Sequence, residues 1–300
     1  APGDTALSLA RGEGYLGFTR NGWPEALGVH ITSGKPEQLI VLPQPTYLPL
    51  VTAIATAAVV LAFLFKFYLL AILVTVVIAG LFIYGGQSAG HTRDYGPLPI
   101  GRGISVPPHT EVASTPPWMA MVCTLVADGT LFASLVFGTF YLWLAAPNWP
   151  SAVAFNPNRI LALGVLAGLV VAAMAARRAL RALVAGGKPQ GWIALAMLSL
   201  VLAIAAVVGL IGGVIPHPRE HALGATAAAL LSYIAVHAGI GLLFLTSNLL
   251  RIRAGMVSAL RHTDLRLTRL WLAFTAVTGA IALALVLALP SLVSIMGAQA

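Results

Sequence analysis

The feature that most constrains this sequence is a series of long apolar runs, most close to membrane-spanning length, separated by polar segments. A helix needs about 20 apolar residues to cross the hydrocarbon core of a bilayer, which is about 30 Å thick. Only 9% of the residues are charged and the mean hydropathy is +0.91, whereas soluble domains carry about 25% charged residues. The sequence therefore predicts an all-α polytopic membrane protein.

Seven of the apolar runs are candidate transmembrane helices. The first two are separated by Lys66 alone, and because together they are too long for one span, they predict a tight helical hairpin. The predicted spans in chain order are Tyr47–Phe65, Phe67–Tyr84, Trp118–Ala145, Arg159–Ala176, Gly191–Ile215, Ala222–Leu250 and Leu270–Leu289.

A segment rich in proline and glycine, residues 85–117, separates the first two spans from the other five. Proline removes a helical hydrogen bond and clashes with the preceding turn, so such a segment does not form a helix interior. The expected architecture is a two-helix hairpin plus a five-helix bundle. The predicted regions are an N-terminal cytoplasmic segment or linker at 1–46, the hairpin at 47–84, a cytoplasmic linker at 85–117, the bundle at 118–290 and an external tail at 291–300.

The positions of the positive charges predict the orientation. Most of the 17 lysine and arginine residues lie in the N-terminal segment and in the loops after the second, fourth and sixth spans. Because positive residues concentrate on the cytoplasmic side, the N-terminus is expected to be cytoplasmic and the C-terminus external. The net charge of +8 does not predict a nucleic-acid partner, since the basic residues lie between spans rather than along one face.

The histidines and the single cysteine, Cys123, give no pattern of a redox centre. Haem and copper sites in membrane helices use facing histidines, and only His237 of the seven histidines lies deep inside a predicted span. His217 and His221 have helical metal-ligand spacing, but Pro218 between them argues against a regular helix. We therefore predict no catalytic residue, cofactor or metal in this chain itself.

Two small-residue patterns, Gly164-x3-Gly168 and Gly209-x3-Gly213, place glycines on one helix face. Such patterns let membrane helices approach closely. Alanine and glycine are abundant in this sequence, so incidental small residues in a bundle explain these patterns equally well.

Asp128 is a carboxylate about ten residues into the third span, or about 15 Å along a helix, which is close to the middle of the membrane. A charged aspartate at that depth costs roughly 2.5–3.5 kcal/mol, so its side chain is expected to face protein or water. His237 lies at a similar depth in the sixth span. We expect Asp128 and His237 to be hydrogen bonded, directly or through water; the pair has either a proton-linked or lipid-linked role or a purely structural one.

The stretch from Val126 to Pro150 resembles the third helix of subunit III of haem–copper cytochrome c oxidases. The family has a Ser-Glu pair, a phenylalanine-rich helix and a Trp-Pro-Pro turn. The corresponding residues here are Ala127-Asp128, Phe132, Phe137, Phe140-Tyr141 and Trp149-Pro150-Ser151, with aspartate replacing glutamate and serine replacing the second proline. Gly34–Leu50, Leu231–Gly255 and Leu267–Pro290 are similar to the C-terminal part of polypeptides in which subunits I and III are fused.

The resemblance implies a seven-helix protein of the bacterial plasma membrane, split two plus five by a cleft that holds phospholipids. It implies a non-redox part of an aa3-type oxidase that braces the catalytic subunit and supports proton uptake and turnover during O2 reduction. Haem a, haem a3 and copper would belong to the catalytic subunit, and the partners would be subunits I and II and cytochrome c. The candidate interface or lipid-cleft residues are Trp118, Phe132, Tyr141 and Trp149.

Three alternatives to this function are open. A quinol oxidase shares the two-plus-five arrangement, with quinol in place of cytochrome c as the electron donor. A stand-alone transporter would need several polar residues along a path and broken helices near the membrane midplane. A membrane scaffold unrelated to respiration would need only the helical bundle.

Overall fold

The structure is a computed structural model that describes residues 25–41, 46–88, 94, 96–101, 103–108, 116–145, 157–214 and 222–297. These ranges contain seven α-helices and two antiparallel β-hairpins. The helices are α1 Leu48–Leu64, α2 Tyr68–Ser88, α3 Pro116–Ala145, α4 Arg159–Val184, α5 Gln190–Val214, α6 Ala222–Arg253 and α7 Thr263–Gly297. The strands are β1 Glu25–Val29, β2 Pro36–Val41, β3 Leu98–Gly101 and β4 Ile104–Val106.

Six helices, α2 to α7, are long and apolar enough to cross a membrane. Helix α1 is also apolar but has 17 residues, somewhat fewer than the roughly 20 that a perpendicular span needs. The chain is therefore an all-α polytopic membrane protein in its main architecture.

The contacts within the chain define two compact units. The first is Ala1–Val112 with Leu250–Arg261, and the second is Ala113–Leu249 with His262–Ala300. Helices α1 and α2 belong to the first unit and pack against each other. Each buries a single residue, Ala62 in α1 and Ala71 in α2, so nearly all of their apolar surface is exposed.

The turn between α1 and α2 centres on Lys66, which has a positive φ of 63°. The N–H groups of Lys66 and Phe67 donate to carbonyls in the last turn of α1 at 3.1 and 2.8 Å, an arrangement that closes a helix with one left-handed residue. The turns after α4 and α6 use the same bonds with glycines at this position, Gly186 and Gly255. A side chain in the left-handed region costs roughly 1–2 kcal/mol, so the tight hairpin predicted around Lys66 is formed at some conformational cost.

Two β-hairpins lie within the regions predicted as an N-terminal segment or linker, residues 1–46, and as a linker, residues 85–117. Strands β1 and β2 pair, as do β3 and β4, and the Leu39 N–H donates to the Pro107 carbonyl at 3.0 Å. The side chains of Leu39 and Val106 are buried at 3% and 2% exposure. The strands have three to six residues, too few to show a clear alternating pattern in the sequence.

Asp94 connects the segment after α2 to the loop between α6 and α7, within the first unit. Its N–H donates to the Gly255 carbonyl at 2.8 Å. Its carboxylate accepts hydrogen bonds from the Ser258 hydroxyl and, at 2.9 Å, from the Gly96 N–H. This polar connection gives part of the proline-rich segment a defined position.

The second unit has a close-packed centre in which α4 packs against both α5 and α7. Val165, Leu169, Ala172 and Ala176 recur at helical spacing on the buried face of α4, with 0–1% exposure. Gly168 lies on the same face, where an added Cβ would be 2.8 Å from both the Ala203 Cβ and the Ser199 carbonyl oxygen. The small residue is therefore required for the approach of α4 to α5.

The other glycines of the two patterns are in looser surroundings. A Cβ at Gly164 would be 4.0 Å from the nearest atom, Ala206 Cβ, and one at Gly213 would meet nothing within 4 Å. At Gly209 the nearest atom would be the flexible end of Leu161, at 3.1 Å. Only Gly168 of the four is held against a neighbouring backbone.

Helix bounds differ from the predicted spans mainly at the ends. Helix α4 continues to Val184 rather than ending at Ala176, and α7 runs from Thr263 to Gly297. The boundary predicted at 290 therefore falls inside a helix. Hydropathy marks the apolar centre of a helix, so the arginine-containing last turns of α4 and the polar first turns of α7 do not contribute to that signal.

The serine and threonine hydroxyl groups on α1, α2 and α3 are satisfied by their own helices. Each donates to the carbonyl four residues earlier at 2.8–3.0 Å, which avoids an unpaired polar group in a membrane. The residues are Thr52, Thr56, Thr75, Thr124, Thr130 and Ser134.

Gly168→Ala is expected to lower the free energy of unfolding by about 1–3 kcal/mol, since the new methyl overpacks the contact with Ser199 and Ala203. Gly164→Ala is the matched control on the same helix, and it should be neutral or stabilising because alanine is the better helix former by about 1 kcal/mol. Thermal unfolding in detergent micelles measures both. Equal stability of the two variants would contradict the close approach at Gly168.

Candidate functional site

The candidate site is built around Asp128, which α3 presents to the interior of the second unit. Its side chain is 14% exposed. Helix α3 buries only a narrow stripe, Leu125, Phe132 and Thr139, and Asp128 lies beside this stripe at helical spacing. The carboxylate therefore faces protein, as expected for a polar group deep in a membrane span.

Two residues of α6 contact the carboxylate. His237 Nε2 lies 2.7 Å from Asp128 Oδ2, and the Tyr233 hydroxyl donates to the same oxygen at 2.8 Å. Tyr233 and His237 are four residues apart, so they share one face of α6. The hydrogen bond that the sequence led us to expect between Asp128 and His237 is present and direct.

The other histidine nitrogen determines the tautomer. His237 Nδ1 lies 2.8 Å from the Tyr233 carbonyl oxygen, which can only accept, so Nδ1 carries a proton and donates it. In the neutral imidazole, Nε2 is then without a proton. The short contact to Asp128 therefore needs one shared proton, held either by a neutral carboxyl or by an imidazolium facing a carboxylate.

Both forms of this contact leave the Asp128–His237 pair without net charge. A neutral pair avoids most of the free energy that an isolated charge would cost in an apolar interior. Tyr233 can donate to Oδ2 in either form, because an acid hydroxyl and a carboxylate oxygen both accept. The arrangement can thus hold a proton and shift it over a short distance while the total charge stays constant.

Aromatic rings enclose the pair. The His237 ring stacks against Tyr233 at a centroid distance of 3.8 Å and against Trp271 of α7 at 5.2 Å, and Phe132 packs on Tyr233 at 5.1 Å. The Trp271 Nε1–H donates to the His237 carbonyl at 3.0 Å. These residues are each 5–7% exposed, so three helices fix the position of the imidazole.

The four candidate interface or lipid-cleft residues have different environments. Tyr141 is 60% exposed, Trp118 is half-buried, and Trp149 lies outside the described residues. Phe132 differs from the other two described residues, because its ring is buried in the cluster against Tyr233. Phe132 is one turn from Asp128 and shares its inward face, which places it inside the unit.

Tyr233 and Trp271 belong to the site although the sequence did not lead us to name them. The spacing of four between Tyr233 and His237 was a usable signal, since both fall on one face of a helix. Trp271 gave no such signal, because its contact with α6 depends on how the last two helices pack.

Metal-binding geometry is not found in the part of the chain that the structure describes, where no group of three or more His, Cys, Asp or Glu residues converges. His217 and His221 lie outside the described residues. Comparison of the sequence with protein-family models and with curated proteins finds no match.

Asp128→Leu is expected to destabilise the second unit, since it removes the carboxylate that accepts from the Tyr233 hydroxyl and the buried partner of His237 Nε2, at about 1–3 kcal/mol for each group. Asp128→Asn should cost less, because its amide can donate to the bare Nε2. Thermal unfolding in micelles measures the loss. Thr124→Val is the control on the same helix, as its exposed hydroxyl bonds only to the Ala120 carbonyl.

The tautomer of His237 is a second prediction, open to 15N nuclear magnetic resonance on selectively labelled protein. Nδ1 should carry a proton in the wild type and in Asp128→Asn, because the Tyr233 carbonyl remains its acceptor. In the asparagine variant Nε2 should be bare, since a neutral imidazole with its proton on Nδ1 has none on Nε2, and the side-chain NH2 of asparagine can donate to it. A wild-type spectrum with Nδ1 bare would contradict the proton arrangement derived from the geometry.

Proposed function

We propose that this chain is the subunit III-like, non-redox part of an aa3-type cytochrome c oxidase. It braces the catalytic subunit and supports proton uptake and turnover while the complex reduces O2 to water in aerobic respiration. The observation that carries the proposal is the hydrogen bond between the buried acid of the third helix and the histidine of the sixth. The stretch Val126–Pro150 resembles the third helix of subunit III, and in this resemblance Asp128 takes the position of the family's glutamate.

The acid–histidine pair gives such a subunit a defined property. It holds one exchangeable proton at a fixed place in an apolar bundle, with its geometry determined by α3, α6 and α7. A subunit that supports proton uptake without electron transfer needs polar groups of this kind rather than metal ligands. The same bonds also lock α3 onto α6, which suits a bracing role.

The two-plus-five arrangement and the orientation are parts of the same proposal. Helices α1 and α2 form the two-helix unit, and α3 to α7 form the five-helix unit, with α1 crossing the membrane despite its length of 17 residues. The N-terminus is cytoplasmic and the C-terminus periplasmic in a bacterial plasma membrane. The exposed apolar faces of α1 and α2 are then available to phospholipid and to oxidase subunits I and II.

The electron donor distinguishes the leading proposal from its main alternative. A subunit III-like part of a quinol oxidase would have the same helices and the same acid–histidine pair. Haem a, haem a3 and copper in the catalytic subunit, with cytochrome c as the donor, belong to the leading proposal. The donor is decided by measuring O2 consumption of the purified complex with reduced cytochrome c and with a quinol.

The test of the function is to express this chain, with an affinity tag, together with a haem–copper catalytic subunit. The expected result is a reduced-minus-oxidised spectrum of haem a in the purified complex. Asp128→Leu should lower the haem that co-purifies or the number of turnovers before inactivation, because the brace between α3 and α6 is lost.

Thr124→Val is the control in this experiment and should leave both quantities unchanged. Purification of the chain with no catalytic subunit attached would contradict the proposal. A haem or copper ion held tightly by the isolated chain would contradict it as well.

A further inference from the structure

A group of basic residues at the junction of α4 and α5 has no role in the function proposed above. The group, called the α4–α5 basic cluster below, consists of four exposed residues: Arg177, Arg178, Arg181 and Lys188. The sequence contains no acidic residue between Asp128 and Glu220, so no neighbouring carboxylate in this stretch neutralises them. The cluster is therefore a concentrated positive charge.

The depth of the cluster follows from the start of α4. Asn158 caps this helix, with its Oδ1 accepting from the N–H groups of Ile160 and Leu161 at 3.0 and 3.3 Å. If Arg159 marks one edge of the hydrocarbon core, Arg177 lies about 27 Å and Arg181 about 33 Å further along the helix axis. The core is about 30 Å thick, so these guanidinium groups fall at the level of the lipid headgroups.

Contacts within the second unit hold part of the cluster in place. The Arg178 guanidinium carbon lies 5.6 Å from the centroid of the Trp192 ring, on α5, and a cation over an indole face is attracted to it. Trp192 is 38% exposed, as is common for tryptophan at a membrane interface. The N-terminus of α5, which begins at Gln190, adds partial positive charge at the same junction.

We propose that the α4–α5 basic cluster binds the phosphate of an anionic phospholipid of the surrounding membrane. Arginine guanidinium groups donate in pairs to phosphate oxygens, and Lys188 adds a positive charge from the loop. A lipid fits better than a soluble acidic partner, because Arg177 and Arg178 lie within a membrane-spanning helix rather than beyond its end. The site depends on the second unit alone, and it does not require the oxidase function.

The test uses native mass spectrometry of the full chain in detergent, titrated with dioleoylphosphatidylglycerol or with dioleoylphosphatidylcholine. The wild type should retain phosphatidylglycerol and discriminate against phosphatidylcholine. Because each interfacial cation strengthens binding to anionic lipid by about fivefold, the double variant Arg178→Gln/Arg181→Gln should bind phosphatidylglycerol about 30-fold more weakly. The double variant Lys66→Gln/Arg159→Gln removes the same charge on the opposite side of the membrane and should bind as the wild type does.

Lys188→Gln provides a second measurement if the double variant does not fold. Lys188 lies in the loop outside both helices, and its replacement by glutamine should weaken phosphatidylglycerol binding about fivefold. Unchanged binding in the cluster variants, or equal retention of the two lipids by the wild type, would overturn the proposal. Displacement of the lipid by inorganic phosphate or by polyglutamate at matched charge would also overturn it, in favour of a free anion or an acidic protein.

Discussion

The hydrogen bond between Asp128 and His237 is the constraint on which the second unit depends. Burying either of these side chains alone in an apolar bundle would cost free energy. One shared proton makes them a neutral pair. Helix α3 contributes few other buried side chains, so this bond, together with the packing of Phe132 on Tyr233, positions α3 against α6. The Trp271 hydrogen bond to the His237 backbone then adds α7 to the same arrangement.

The two units differ in how much of their apolar side-chain surface is buried within the protein. The centre of the second unit excludes lipid by close packing of small residues, with Gly168 at the tightest approach. In the first unit, the α1–α2 hairpin buries almost nothing beyond its own interface and closes its turn with Lys66 in a strained conformation. Short β-hairpins and the Asp94 hydrogen bonds give the polar segments of that unit their order.

The sequence predicted the features that are marked either by a repeated pattern, such as an apolar run, or by a single unusual residue, such as an acid deep in a span. Apolar runs located the helices, and the single deep acid and single deep histidine predicted their contact because both lie at similar depth. Features that depend on tertiary packing were not predictable in the same way. The burial of Phe132 and the contact of Trp271 result from how helices face each other, and the β-hairpins are too short to produce a periodic pattern.

The serine and threonine hydroxyl groups of α1, α2 and α3 each donate to a carbonyl of their own helix, which affects how these helices interact with their surroundings. A hydroxyl that donates in this way cannot donate a hydrogen bond to an approaching molecule, although its oxygen can still accept one hydrogen bond. The helix surfaces around these serines and threonines therefore resemble hydrocarbon to a lipid or a neighbouring helix. Recognition there has to come from shape, through the fit of acyl chains or of a neighbouring helix into the ridges between side chains.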